Sequence, residues 1–171
     1  MKDIFPILSN AAYALPLALG LELWAAIPMA LLGFTSGAWH IMELKAKYEH
    51  NGRTWRGYPA YIFRRIDVWN IYLAFAAIAA VNISLWLFLL FPLYLLFEWV
   101  LPVGNRFTSI GTSAAIAIIC SYFGSELWQI VAALLLFAAA VKVAEEAQPH
   151  GQVEHSIWHV LTATAMTLLI L

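Results

Sequence analysis

Charge is scarce in this chain: only 11% of its 171 residues are Asp, Glu, Lys or Arg. A soluble domain carries about a quarter, so water is not the expected main solvent. Cysteine is scarcer still. Cys120 stands alone, which excludes an intrachain disulfide and a thiolate zinc cluster. A net charge of −1 gives nucleic acid no electrostatic footing. The motif HExxH is absent, which argues against a metalloprotease of that type. "AYA" at Ala12–Ala14 has the small residues of a signal-cleavage site, but the apolar run before it is too short for a secretory signal. What the chain has in abundance is apolar surface: 63% of residues are hydrophobic and the mean hydropathy is +0.79. The expected class is an all-α, polytopic membrane protein forming a single domain over residues 1–171.

Short polar breaks divide the apolar runs into seven predicted helices, at Phe5–Leu19, Leu23–Leu44, Ile66–Ala80, Ser84–Val100, Phe107–Phe123, Leu127–Ala144 and Glu154–Leu171. Gly20-Leu21-Glu22, Asn82, Gly104-Asn105-Arg106, Gly124-Ser125-Glu126 and Gln148-Pro149-His150-Gly151 supply the punctuation. Several runs fall short of the ~20 residues that cross a typical hydrocarbon core. Pro6 and Pro16 interrupt the first, and a six-span alternative stays open if that run does not cross. Ala46–Arg65 reads as the one long connection, its Tyr, Trp and Arg suited to lipid headgroups.

Orientation provides an independent check. All nine Lys and Arg residues (Lys2, Lys45, Lys47, Arg53, Arg56, Arg64, Arg65, Arg106 and Lys142) fall at the N-terminus, in the second and fourth connections or, for Lys142, in the last turn of the sixth helix beside the sixth connection. Those positions share one side of a seven-span bundle. Positive charge is retained in the cytoplasm, which predicts the N-terminus inside and the C-terminus outside.

On this map the unusual polar residues gather. His40, with Ser36 one turn before it, lies near the inner end of the second helix. Asp67 lies at the inner start of the third, and His155 and His159 at the inner start of the seventh. Residues four apart share a helix face, about 5–6 Å between Cβ atoms, so two imidazoles from "HSIWH" can reach one ion while a third arrives from another helix. Three protein ligands with an open fourth position is the catalytic zinc arrangement. Such an ion lowers the pKa of its water from about 15.7 to about 7, which Asp67 could orient or deprotonate and Ser36 could hydrogen-bond.

Each residue also has a plainer role. A lone His near the interface is ordinarily solvated, Asp67 could cap its helix or pair with Arg64 or Arg65, and Ser36 in "GFTSG" suits helix packing beside Gly33 and Gly37. Ionisable groups inside membrane segments are costly and tend to be functional, so the set carries more weight than its members. His50 and His150 fall in connections and carry no such weight. Glu43, Glu98 and Glu154 read as interfacial charges, with Glu98 the best candidate to support the site.

Ser36-x-x-x-His40, then Asp67, then His155-x-x-x-His159 on the last of seven helices, resembles the superfamily of alkaline ceramidases, progestin and adiponectin receptors, Per1-type lipid-remodelling proteins and the transmembrane-8 family. Trp158 before the second His is most similar to the ceramidase, Per1 and transmembrane-8 branches. The resemblance implies zinc on His40, His155 and His159, with Asp67 and Ser36 contacting its water. It also implies hydrolysis of an amide or ester bond in a membrane lipid, and the orientation read from Lys and Arg puts that site near the cytoplasmic side. "MKDIFPILSN" departs from the acidic N-terminal segment of the ceramidases and from the paired acidic residues of bacterial receptor-branch members. Two other classes stay open: a non-catalytic receptor or maturation factor braced by structural zinc, and a haem-binding membrane protein.

Overall fold

The computed structural model describes residues 4–49, 58–100, 106–146 and 152–171. Among them the chain is helical, without strands, and falls into seven helical segments. The first is broken into α1 (Phe5–Ser9), a 3₁₀ turn over Asn10–Ala14, and α2 (Leu15–Ala18). Pro6 and Pro16 each sit at the start of a piece, where a missing N–H is tolerated. Leu21 N–H bonds Pro16 C=O and Gly20 N–H bonds Leu17 C=O, closing the end with Gly20 at a φ of 71°.

α3 (Leu23–Glu49) and α4 (Tyr58–Asn82) are longer than the apolar pattern predicts. "KAKYE" after Leu44 contains only residues compatible with a helix, and the breaker Asn51-Gly52 comes later. At α4 the proline is Pro59, in the first turn, so the helix starts well before the apolar run at Ile66. The expected connection Ala46–Arg65 is thus helical at both ends, and its centre lies outside the described residues, as do His50 and His150. The fourth segment opens as 3₁₀ over Leu85–Leu89 before α5 (Leu90–Val100), because Pro92 cannot donate the next helical bond. α6 (Arg106–Ser121), α7 (Leu127–Glu146) and α8 (Gln152–Leu168) complete the chain.

α4 is the centre of the packing. Residues Ala74, Phe75, Ala76, Ala77, Ile78, Ala79 and Ala80 are all buried, and the alanines let neighbouring helices approach closely. Phe75 and Ile78 join Met29 and Leu32 of α3, Ala117 of α6, Ile130 of α7, Met166 of α8 and Leu169 just beyond it in one core. Tyr72 and Tyr94 anchor a second, smaller cluster with Val68 and Ala76. At one end of the bundle, Asn82 Nδ2 donates to Leu169 C=O at 2.8 Å, and Ser125 Oγ donates to Asn82 Oδ1 at 2.8 Å. These bonds tie the ends of α4 and α8 to the turn before α7.

Many large apolar side chains also face outward. Phe34 is 72% exposed, and Leu23, Leu31, Ile119, Leu135, Val141 and Val160 also face outward. Among the described residues one helix, Leu23–Met42, is long and apolar enough to cross a membrane; Phe5–Ala18, Leu85–Leu96, Ile110–Ser121 and Leu127–Val143 are shorter apolar helices.

Candidate metal centre

Three imidazoles meet at the end of the bundle opposite Asn82. His40 comes from α3, and His155 and His159 from consecutive turns of α8. Their Nε2 atoms form a triangle with all three edges 3.1 Å long. His40 and His159 are buried, and His155 is half-buried. The i, i+4 spacing puts both α8 rings on one face, as the sequence predicts.

The triangle cannot satisfy itself. A neutral imidazole offers one N–H and one lone pair, on different nitrogens, so each Nε2 is either a donor or an acceptor. Any assignment of three such atoms leaves at least one edge with two of a kind. A single cation answers all three lone pairs together. Nitrogens bound at 2.0–2.1 Å to a tetrahedral ion stand about 3.3 Å apart, close to the observed edges. The three residues could therefore hold a metal ion, and among the described residues no fourth His, Cys, Asp or Glu joins the group.

The rings are held by aromatic neighbours. The Trp39 indole lies against His40 with centroids 4.6 Å apart, and Trp158 stacks on His155 at 5.7 Å. Trp158 also meets His159 edge-to-face at 4.9 Å, and Tyr13 meets it edge-to-face at 6.0 Å. These contacts limit rotation of the imidazoles and so fix where the nitrogens point.

Ser36 is buried on α3, one turn from His40. Asp67 stands nine positions beyond Tyr58, well inside α4, so it does not cap that helix. Its depth follows from register. Asn70 Nδ2 donates to Thr35 Oγ1 at 3.1 Å, and the two helices run antiparallel, so Asp67 lies level with the stretch between Ser36 and His40. Asp67 is also close enough to Tyr13, the ring packed on His159, for a Coulombic interaction. Of the three glutamates noted in the sequence, Glu154 lies in the first turn of α8, while the side chains of Glu43 and Glu98 lie outside the described residues.

The sequence reading missed Tyr13 and Thr162. Tyr13 is 3% exposed and its hydroxyl lies 2.7 Å from Thr162 Oγ1. An available signal was that Tyr13 is a polar aromatic between two prolines, in a mostly apolar run. No protein-family model, curated protein or solved structure matches this chain, so the functional reading rests on the geometry of these residues.

Proposed function

We propose that the protein is an intramembrane, zinc-dependent hydrolase that cleaves an amide or ester bond of a membrane lipid. The observation that carries this reading is the triangle of three Nε2 atoms, 3.1 Å on each edge, built from helices that are distant in sequence. Structural zinc sites close all four positions, and catalytic ones leave one open; three ligands with a half-buried His155 match the open kind. Zinc bound here would supply Lewis acidity and an acidified water.

The chain's own residues would do the rest. His40, His155 and His159 fix the ion, and the indoles of Trp39 and Trp158 keep their rings from turning. Asp67 accepts the proton of the attacking water and returns it to the departing amine or alcohol, leaving the acyl chain as a carboxylic acid. Ser36 donates a hydrogen bond that orients the water. Asp67 and Ser36 share the depth of the histidines, which is what these roles need.

The membrane setting is supported by the outward-facing leucines, isoleucines and phenylalanines, which far exceed what a water-soluble monomer displays. Seven spans with the N-terminus in the cytoplasm fit the seven helical segments and the one-sided Lys and Arg. Exposed aromatics collect at the opposite end: Trp86, Tyr122, Phe123 and Trp128. There the sequence Glu-Leu-Trp occurs twice, and in each case the indole N–H donates to the preceding glutamate, Trp24 to Glu22 and Trp128 to Glu126. Such residues suit an outer headgroup layer. Haem does not suit the centre, because axial ligands on opposite sides of one iron stand about 4 Å apart, twice a metal–imidazole bond.

The test is elemental mass spectrometry of detergent-purified protein, wild type beside His155→Ala, followed by a screen of lipid amides and esters. Near-stoichiometric zinc in the wild type and its loss in the variant are expected. Wild-type protein purified without chelators and free of zinc would overturn the reading.

A further inference from the structure

We infer that Tyr13 is a positioning residue for the metal centre, acting through Thr162 on the turn of α8 that carries His159. The inference rests on the metal-site reading above. Thr162 Oγ1 has three close oxygens: Trp158 C=O at 2.9 Å, His159 C=O at 3.1 Å and Tyr13 Oη at 2.7 Å. The carbonyls can only accept, so the single hydroxyl hydrogen of Thr162 goes to them. Tyr13 must then be the donor to Thr162 Oγ1. The result is a directed chain from the first helical segment to the backbone of Trp158 and His159.

Both hydroxyls are buried within side chains only 3% and 7% exposed, so water does not compete for these bonds. Tyr13 acts on the same ligand a second way, its ring standing edge-to-face against the His159 imidazole. His159 needs the support, since its Nδ1 is buried and has no hydrogen-bond partner among the described residues. Metal-binding histidines are usually oriented by a partner on that second nitrogen, and here the orientation comes from the ring contact and the braced turn instead. The first segment can reach the site because Gly33 of α3 lets it approach: a Cβ there would lie 2.9 Å from Tyr13 Cβ.

The experiment is a cobalt titration of chelator-stripped, full-length protein in detergent, read by the visible ligand-field bands. Wild type, Tyr13→Phe, Thr162→Val and Thr162→Ser are compared. Tyr13→Phe keeps the ring and removes only the donor. About tenfold weaker cobalt binding is expected for Tyr13→Phe and Thr162→Val, with altered band positions or intensities at saturation. Thr162→Ser, which keeps the hydroxyl, is expected to restore the wild-type spectrum. Should Tyr13→Phe not fold, the comparison of Thr162→Val with Thr162→Ser decides alone. Wild-type affinity and spectrum in the hydroxyl-less variants would overturn the role of Tyr13 while leaving the metal site standing. Absence of cobalt binding by wild type itself would overturn both.

Discussion

Gly33→Ala should loosen the protein although alanine is the better helix former. Gly33 lies inside α3, where the first segment crosses it. A methyl group there would sit 2.6 Å from the Asn10 carbonyl oxygen and 2.9 Å from Tyr13 Cβ. Ordinary contact begins near 3.4 Å, so backbone must move by about 0.8 Å; neither neighbour is the far end of a flexible side chain. The same displacement along the Tyr13–Thr162 bond would stretch it from 2.7 Å beyond the range of an O–H···O bond. Overpacking costs about 1–3 kcal/mol and the lost bond about 1 kcal/mol. Against this, replacing a helical glycine gains about 0.5–1 kcal/mol. The net is a loss of about 1–3 kcal/mol, or a fall in Tm of about 3–10 °C for a chain of this size. Two controls isolate the cause. A Cβ at Gly37 meets nothing closer than 3.8 Å and one at Gly111 meets nothing within 4 Å, so both alanine variants should melt at or above the wild type. The eight tryptophans allow melting in detergent to be followed by intrinsic fluorescence. Gly33→Ala melting with the two controls would refute the close approach of the first segment to α3.

Asn82→Ala removes a side chain that bonds Ile78, Leu169 and Ser125, so Tm should fall by an amount equivalent to about 2–3 kcal/mol. Zinc content should be unchanged, since Asn82 is about 22 Å along α4 from Asp67; a melt like that of wild type would show these bonds to be dispensable. Asp67→Asn should keep stoichiometric zinc and lose lipid hydrolysis, as measured by metal analysis beside turnover, and full activity would remove Asp67 from the reaction. Acid should strip the metal, because each imidazole must be neutral to bind. Zinc retained after dialysis should fall more steeply with falling pH than a single titration allows, whereas a flat profile would point to ligands other than these histidines.

Much of this arrangement was legible in the chain itself. Seven segments follow from Gly, Pro and Asn at the breaks, and the common depth of His40, Asp67, His155 and His159 from counting along helices of known rise. Boundaries were the weak part. Hydropathy marks where a helix is apolar, not where it ends, and it therefore missed the polar extensions "KAKYE" and "YPAYIFRR" of α3 and α4. The second of these turns Asp67 from a helix-capping candidate into an interior residue, which strengthens its claim to the site. Tyr13 escaped notice for a different reason. Its role depends on a contact 149 positions away, with Thr162, and neither residue has a spacing that marks it. The repeated Glu-Leu-Trp was visible, but its meaning comes from the matching indole-to-carboxylate bonds at the starts of two helices.

The two ends of the bundle differ in a way that bears on function. At the Asn82 end, the polar side chains complement one another: the amide of Asn82 both donates and accepts, Ser125 Oγ serves Asn82 and Leu169, and Ser121 Oγ is satisfied by Ala117. Nothing further is needed there, and the bonds close the helix ends upon themselves. At the histidine end the three Nε2 atoms do not complement one another in this way. Three ring nitrogens are brought within 3.1 Å of one another by contacts from Trp39, Trp158 and Tyr13, although no assignment of protons lets them satisfy each other. Packing that serves stability alone would turn such rings apart, since two donors or two acceptors that face each other at this distance repel. Held together in this way, the three nitrogens could take a metal ion between them, with Asp67 at the same depth.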